Sequence, residues 1–275
     1  MSRVWSISEV ISEVFTPYQH VLIAGTAHGI TLFCDDERQS TEASQLVYHE
    51  ALLVPALLLA DQLSRVLVIG SSEGVVSQLA LAAGAERVDH VDIDAVAVRA
   101  CADHLPYGYT PAGLDAAEHG SGPVAVHYTD GWDFLAEVSA RGERYDVIVV
   151  DLPDEHADGE AQHNRLYSTE FLARCAEALA PGGVLTSQAG CPTLWRNETL
   201  LRSWRRFTGM FGTVVYFGSD EHEWAFLSGR LDTLDDPVAT MTARLAGARY
   251  QPSSMDAETL RGRTVPPHSL TCSAP

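Results

Sequence analysis

The chain has 275 residues, 46% of them hydrophobic and 20% charged, a composition typical of a folded globular protein with a large core. Its formal net charge of -19 disfavours nucleic acid and anionic membrane surfaces as partners and favours small cations. All 18 basic residues are arginine, so the chain has no lysine for a Schiff base or for a P-loop nucleotide site.

The five cysteines are scattered and lack a C-x-x-C spacing, which argues against a disulfide framework or a zinc knuckle. The first residues contain no signal-peptide core. The longest apolar run, residues 51–60, is interrupted by Pro55 and is shorter than the roughly 20 residues that span a bilayer. We therefore expect a cytoplasmic protein with no membrane association.

The chain predicts β-structure first and then alternating elements. Residues 1–47 predict β-structure, with a hairpin formed by 21–25 and 30–33, and 48–61 predicts a helix. Further strands are predicted at 66–70, 88–92, 124–128, 146–150, 184–188, 213–217 and 224–228. Further helices are predicted at 74–83, 95–104, 131–140, 168–179, 197–208 and 237–246. The stretch after Ala248 is rich in Pro and Ser and is predicted to be irregular.

This alternation predicts parallel strands with helices on both faces. The last two strands are too close for a crossover helix, so they should form an antiparallel hairpin through Gly218, Ser219 and Asp220. We expect an α/β protein with an S-adenosylmethionine-methyltransferase-like doubly wound sheet that ends in this hairpin. A small N-terminal antiparallel β domain is expected at 1–50, and a Rossmann-like catalytic domain at 51–275.

Glycines and acids follow several predicted strands at the point where each strand ends. They are the turn 70–74, Asp92, Asp130 with Gly131, and Asp151 with Asp154. The carboxyl ends of parallel strands meet at one crevice, where open α/β sheets bind ligands. An acid about 20 residues after a glycine turn commonly binds ribose hydroxyls. The chain contains no G-x-G-x-x-G motif, which disfavours a dinucleotide as the ligand. The pattern favours an adenosine-containing ligand.

Three acids, Glu73, Asp151 and Asp154, would repel one another in that crevice unless a cation lay between them, which predicts a cationic ligand. The alternative interpretation of Asp151 and Asp154 is an ordinary turn with a capping acid. For Tyr48-His49-Glu50, the alternative is a core tyrosine and an acid in the first turn of a helix.

The sequence contains several possible metal ligands but predicts no metal site. The candidates lie in the loop after Asp154, at His156, Asp158 and His163, and at Glu221-His222-Glu223. Their spacings match no metal motif, so a solvated acidic loop is the preferred interpretation. The G-x-S-x-G motif of serine nucleophiles is also absent.

Taken together, short motifs along most of the chain resemble the spermidine synthase family of polyamine aminopropyltransferases. Eight short segments of this chain are similar to motifs of that family; they start at Tyr18, Gln39, Tyr48, Gly70, Val91, Asp130, Asp151 and Gln188. In the same order, the family motifs are Y-Q-x-I, Q-T-x-E, Y-H-E, G-G-G-D-G, V-E-I-D, D-G, D-x-x-D-P and Q-N/S-G. Arg249-Tyr250 and Val265-Pro266 are similar to its C-terminal tail. The resemblance implies decarboxylated S-adenosylmethionine as co-substrate, no permanently bound cofactor, an amine acceptor and a homodimer.

The resemblance also implies roles for individual residues. The donor site would comprise Gln19, Gly70, Asp92, Asp130, Gly131 and Asp151, with Glu73 on the aminopropyl ammonium. The acceptor site would comprise Tyr48, His49, Glu73, Asp154, Gln188, Tyr216 and Glu223. Asp154 would accept a proton, because the attacking nitrogen must be neutral. An acid beside the donor tail would also repel the carboxylate of intact S-adenosylmethionine.

The chain departs from the family at several of these motifs. Ser71 and Ser72 replace glycines, Glu73 is a longer acid than the usual aspartate, and Glu155 replaces a proline. Ser44-Gln45 also stands where the family has D-E. These changes leave the acceptor amine open. Two alternatives also stay open: a transferase that uses intact S-adenosylmethionine, for methyl or aminocarboxypropyl transfer, and a non-catalytic binding homologue.

Overall fold

The structure is a computed structural model that describes residues 4–155, 162–219 and 223–271. Its first part is a four-stranded antiparallel sheet in the order β1-β2-β3-β4. The strands are β1 (Glu9–Phe15), β2 (His20–Thr26), β3 (Gly29–Cys34) and β4 (Glu37–Thr41). The predicted β2–β3 hairpin is confirmed, with Gly25 opposite Ile30.

A mixed seven-stranded sheet forms the centre of the molecule. Its strands are β5 (Arg65–Gly70), β6 (Arg87–Asp92), β7 (Val124–Tyr128), β8 (Tyr145–Asp151), β9 (Leu179–Gln188), β10 (Thr213–Ser219) and β11 (Trp224–Arg230). Their order is β10-β11-β9-β8-β5-β6-β7. The strands β5 to β9 are parallel, and β10 and β11 form an antiparallel hairpin that pairs with β9 through β11. The predicted methyltransferase-like fold is confirmed.

Helices cover both faces of this sheet. They are α1 (Gln45–Leu59), α2 (Val75–Ala83), α3 (Ala95–His104), α4 (Pro111–Glu118), α5 (Gly131–Arg141), α6 (Thr169–Ala178), α7 (Glu198–Met210), α8 (Pro237–Leu245), α9 (Ala257–Arg263) and α10 (His268–Thr271). Helices α1, α2 and α8 pack on one face, and α5, α6 and α7 on the other. In β5, Val68 faces the core under α1, α2 and α8, and Leu67 faces the core under α5, α6 and α7. Because both faces of β5 are buried, the strand is apolar throughout.

A third apolar cluster joins the small sheet to helix α3. Val21, Ile23 and Leu32 of the small sheet pack against Ala97 and Cys101 of α3. Within the described ranges, no helix has both the length and the apolar character needed to cross a bilayer.

The structure corrects several element predictions. α1 begins at Gln45, three residues earlier than predicted. α4 was not predicted: Pro111 starts it, Thr110 caps it, and only Leu114 and Ala117 are buried, which leaves a weak periodic signal. The prediction of an irregular tail is wrong for α9 and α10, since Asp256 caps α9 through the main-chain N–H groups of its first turn.

Glu50 attaches this tail to the core. Its buried carboxylate accepts hydrogen bonds from the Tyr250 hydroxyl at 2.6 Å and from the main-chain nitrogens of Ser253 and Ser254 at 2.8 and 2.7 Å. Burial alone would raise the pKa of Glu50, but these hydrogen bonds outweigh burial and lower it. Glu50 therefore holds the tail and lies beyond the first turn of α1, contrary to the helix-dipole interpretation.

Candidate active site

The acids and glycines at the strand ends lie along one edge of the large sheet. Gly70, Asp92 and Asp151 end the neighbouring strands β5, β6 and β8, and Asp130 comes two residues after β7. Strand order reverses between β5 and β8, which is where open α/β sheets form a ligand crevice.

The turn after β5 is pressed against the end of β8. Gly70 has φ +80°, and a Cβ atom on it would lie 2.1 Å from the Asp151 carbonyl oxygen, so only glycine fits. The Ser71 nitrogen donates to that carbonyl at 3.1 Å. Ser71 also has a positive φ of 62°, which costs a non-glycine residue roughly 1–2 kcal/mol.

Two hydrogen bonds fix the carboxylate of Asp92 beside the turn. The Ser72 hydroxyl donates to Asp92 Oδ2 at 2.7 Å, and the Asp94 nitrogen donates to Oδ1 at 2.9 Å. Burial raises the pKa of Asp92 to about 6, and the charges of Asp94 and Glu73 add to this effect. A ligand hydroxyl that donates to this carboxylate would stabilise its charged form.

Gln19 reaches the same place from the small sheet. Its amide nitrogen donates to Asp94 Oδ2 at 3.0 Å, and the Thr16 hydroxyl donates to the same oxygen at 2.7 Å. Asp94 also caps α3 through the Ala97 nitrogen. The β1–β2 turn is thereby tied to the end of β6, next to Asp92.

Asp130 has a basic partner that the sequence analysis missed. Its Oδ1 caps α5 by accepting from the Trp132 nitrogen at 2.8 Å, and its Oδ2 pairs with Arg165, which lies in a 3-10 helix, Gln162–Tyr167. Gly131 begins α5, and a Cβ atom there would lie 2.8 Å from Ile69 Cγ2.

Tyr48 lies against Asp151, and Nδ1 of the next residue, His49, lies 2.7 Å from the Gln45 main-chain oxygen. The Tyr48 hydroxyl donates to Asp151 Oδ1 at 2.6 Å, and its ring meets Trp224 edge-on with ring centroids 4.7 Å apart. Burial raises the pKa of Asp151 and the charge of Glu73 raises it further, while His49 and the Tyr48 hydrogen bond oppose the rise. Burial also raises the pKa of Tyr48 well above its usual range, so the phenol stays a donor.

Glu73 is buried, and none of the described residues is its counter-ion. It is 7% exposed, and no residue in the described ranges donates a hydrogen bond to its carboxylate or forms an ion pair with it. Its charge raises the pKa of both Asp92 and Asp151. Since no described arginine pairs with any of these three carboxylates, the crevice has an excess of negative charge that favours a cationic ligand.

Asp154 is oriented by Gln188. The Gln188 amide donates to Asp154 Oδ1 at 2.5 Å, and the Tyr167 hydroxyl contacts Gln188 Oε1 at 3.0 Å. His163, weighed as a metal ligand, instead donates to the Asp154 main-chain oxygen at 3.1 Å. Oδ2 of Asp154 has no hydrogen-bond partner among the described residues.

Two further predicted acceptor residues have other contacts. Tyr216 is buried in the core that faces α7, whereas Tyr48 packs against the opposite core. Glu223 pairs with Arg196, with the closest atoms 3.8 Å apart, so its charge is partly balanced. Their binding roles stay predictions. Asp220, Glu221 and His222, like His156 and Asp158, lie outside the described residues.

Glu155 forms ion pairs with two arginines of α7. Arg202 Nε donates to it at 2.8 Å and Arg206 at 3.0 Å, and these contacts outweigh the effect of burial and lower the pKa of Glu155. The four-residue spacing of the two arginines was the available sequence signal. No pattern marked Tyr167 or Trp224, whose contacts depend on the folded turn and hairpin.

Across the three described ranges, no group of three or more His, Cys, Asp or Glu side chains is arranged to hold a metal ion.

The strand order defines a methyltransferase-like fold, and the acids at its strand ends form a crevice suited to a cationic ligand. The profile of the spermine/spermidine synthase domain matches residues 45–216. A polyamine aminopropyltransferase from Synechococcus sp. (strain JA-2-3B'a(2-13)) is 37% identical over 191 residues, 67% of this chain and 58% of the relative. The chain belongs to the spermine/spermidine synthase family.

Other relatives agree. Polyamine aminopropyltransferase 1 of Pseudomonas aeruginosa is 30% identical over 77% of this chain and 73% of its own length. The chain spans 58% and 65% of two of the curated relatives that it matches. A crystal structure of a spermidine synthase in complex with the transition-state analogue AdoDATO superposes with a TM-score of 0.82 at 19% identity, over 97% of this chain and 88% of that one, which shows the shared fold.

Proposed function

We propose that this protein transfers the aminopropyl group of decarboxylated S-adenosylmethionine to a primary amine of a di- or polyamine and releases methylthioadenosine. The curated relatives are named polyamine aminopropyltransferases, and the structural neighbour binds a transition-state analogue. The buried residue Glu73, whose carboxylate has no partner among the described residues, is the observation that carries the proposal.

The donor would lie along the ends of β5, β6 and β7. Asp92, held by Ser72, would accept from the ribose hydroxyls, and Gln19 lies beside it. Asp130 would face the base. Glu73 would balance the ammonium of the aminopropyl group, which places a negative charge where intact S-adenosylmethionine has a carboxylate.

The acceptor amine would lie between Asp151 and Asp154. Its nitrogen lone pair attacks the aminopropyl carbon bound to sulfur, the new C–N bond forms, and the C–S bond breaks with its electron pair going to sulfur. Oδ2 of Asp154 takes the proton that leaves the nitrogen. Because the sulfonium is already activated, alignment of the two substrates supplies most of the remaining acceleration.

A cytoplasmic homodimer and a domain boundary at residue 50 form the rest of the proposal. Cys34, Cys101, Cys175 and Cys191 are free and buried, as expected in a reducing compartment. Sedimentation would test the dimer.

The decisive experiment supplies each sulfonium donor, decarboxylated or intact, with a panel of C3–C6 diamines and longer polyamines and identifies the nucleoside released. Methylthioadenosine from the decarboxylated donor alone supports the proposal. S-adenosylhomocysteine, or methylthioadenosine from the intact donor, would instead identify the alternative transferase. Glu73→Gln should lose the discrimination between the two donors, while wild-type selectivity in that variant would contradict the role of Glu73.

A further inference from the structure

His90 is a buried polar residue at the centre of the parallel sheet. It lies on β6 two residues before Asp92 and is fully buried. Both faces of this sheet are covered by other elements, so an interior strand position favours an apolar side chain. A histidine there needs partners for both ring nitrogens.

The partners of His90 determine its tautomer. Nε2 lies 2.8 Å from the Gly70 carbonyl oxygen, which can only accept, so Nε2 carries the hydrogen. Nδ1 lies 2.9 Å from the Tyr109 hydroxyl and accepts from it. Burial lowers the pKa of His90 to about 4, so the ring is neutral near pH 7.

Tyr109 supports the far end of the same turn. Its main-chain nitrogen donates to the Glu73 carbonyl at 2.9 Å. Its ring fills the space beside Gly74, where a Cβ atom would lie 2.4 Å from the ring. One imidazole therefore links the first residue of the turn, Gly70, to the segment that supports Glu73 and Gly74.

We propose that His90 is a positioning residue of the donor site, which holds the 70–74 turn so that Ser72 orients Asp92 and Glu73 faces the donor tail. His90 is fully buried and acts only through Gly70 and Tyr109. This inference rests on the proposed function, because it assigns the turn to the donor.

The test compares three variants by calorimetric affinity for methylthioadenosine, by KM for each substrate, and by melting temperature. His90→Leu removes both hydrogen bonds and should weaken donor binding by about 10- to 100-fold, because a displaced Asp92 would lose a hydrogen bond between its charged carboxylate and the donor. The acceptor KM should change little. His90→Gln keeps an N–H near the Nε2 position and should recover most of the affinity. Val88→Ala, on the same strand and also fully buried, should lower the melting temperature without changing donor affinity.

A His90→Leu protein with wild-type donor affinity, or one that loses no more affinity than Val88→Ala, overturns the positioning role. If His90→Leu does not fold, Tyr109→Phe removes one hydroxyl and should still raise the donor KM. Nitrogen-15 NMR of the wild-type protein should show the neutral Nε2–H tautomer of His90 between pH 5.5 and 8, and the Nδ1–H tautomer would contradict it. Wild-type protein that does not bind methylthioadenosine would overturn the proposed function together with this role.

Discussion

The Tyr48 hydroxyl donates a 2.6 Å hydrogen bond to Asp151, so the helix that precedes the large sheet meets the end of β8 inside the crevice. This bond stabilises the charged form of a carboxylate that burial and Glu73 both disfavour. The contact joins residues 103 positions apart in the sequence.

Tyr48→Phe should therefore raise the pKa of Asp151 further and move the acid side of the pH–rate profile to higher pH. A hydrogen bond to a charged group contributes about 1.5–3 kcal/mol, so kcat/KM at neutral pH should fall by about 10- to 100-fold. Tyr145→Phe is the matched control, because the Tyr145 hydroxyl donates a 3.0 Å hydrogen bond to the buried Asp89. Tyr145 begins β8, so this bond is far from the carboxyl ends of the strands. Both variants should lose stability, and an equal shift of both pH profiles would contradict the assignment.

Asp92→Asn should stabilise the fold and weaken nucleoside binding. The pKa of Asp92 is raised to about 6, so its contribution to stability is present in acid and is lost as pH rises through about 4 to 6. Removal of the charge by Asp92→Asn should therefore raise the free energy of unfolding at pH 7 by at most about 3 kcal/mol.

Asp89 lies on the same strand and provides the control, because its pKa is lowered whereas that of Asp92 is raised. Burial would raise its pKa, but His127, Tyr145 and Arg65 outweigh burial and lower it to about 2. Its contribution is present above pH 4 and is lost as pH falls toward 2. Asp89→Asn should therefore destabilise the protein at pH 7. Denaturant unfolding and calorimetric nucleoside titration would measure both effects, and stabilisation by both variants, or by neither, would contradict this account.

Asp154→Asn should remove the proton acceptor while keeping an oxygen for the Gln188 hydrogen bond. Single-turnover rates should fall by about 10²- to 10⁴-fold with donor affinity nearly unchanged. Asp146→Asn is the control, because Asp146 accepts from the main chain of Ser64 and Arg65 near the start of β8. A near-wild-type rate with a lowered melting temperature for Asp154→Asn would leave this aspartate as a turn residue.

Glu155→Gln should weaken the contact between α7 and the turn that contains Asp154 and Glu155. Its ion pairs with Arg202 and Arg206 stabilise the fold above the ordinary glutamate pKa, and this stabilisation is lost as pH falls through the lowered pKa. We expect a loss of about 1–3 kcal/mol at pH 7 together with a higher acceptor KM. Glu143→Gln also breaks pairs with two arginines, Arg65 and Arg141, but should leave the acceptor KM unchanged. Equal KM changes in the two variants would argue against a link between Glu155 and the site.

The large sheet was predictable because its strands carry strong local signals. β7 and α3 begin and end at the predicted residues, and the hairpin of β10 and β11 follows from spacing that is too short for a helix. α4 and α9 were missed because they are short and bury few apolar side chains, so caps and tertiary contacts decide them.

The sequence by itself determined the fold class, the alternation of elements and the acids at the strand ends, because strand periodicity and glycine turns are local properties of the chain. Only the tertiary structure decided which charges are balanced: Arg165 pairs with Asp130 and two arginines pair with Glu155, whereas Glu73 has no described partner. It also decided that His90 supports the turn beside Asp92. These outcomes depend on distances of a few ångströms between residues far apart in the chain, and Coulomb energies and hydrogen bonds at that range are set by packing rather than by local pattern.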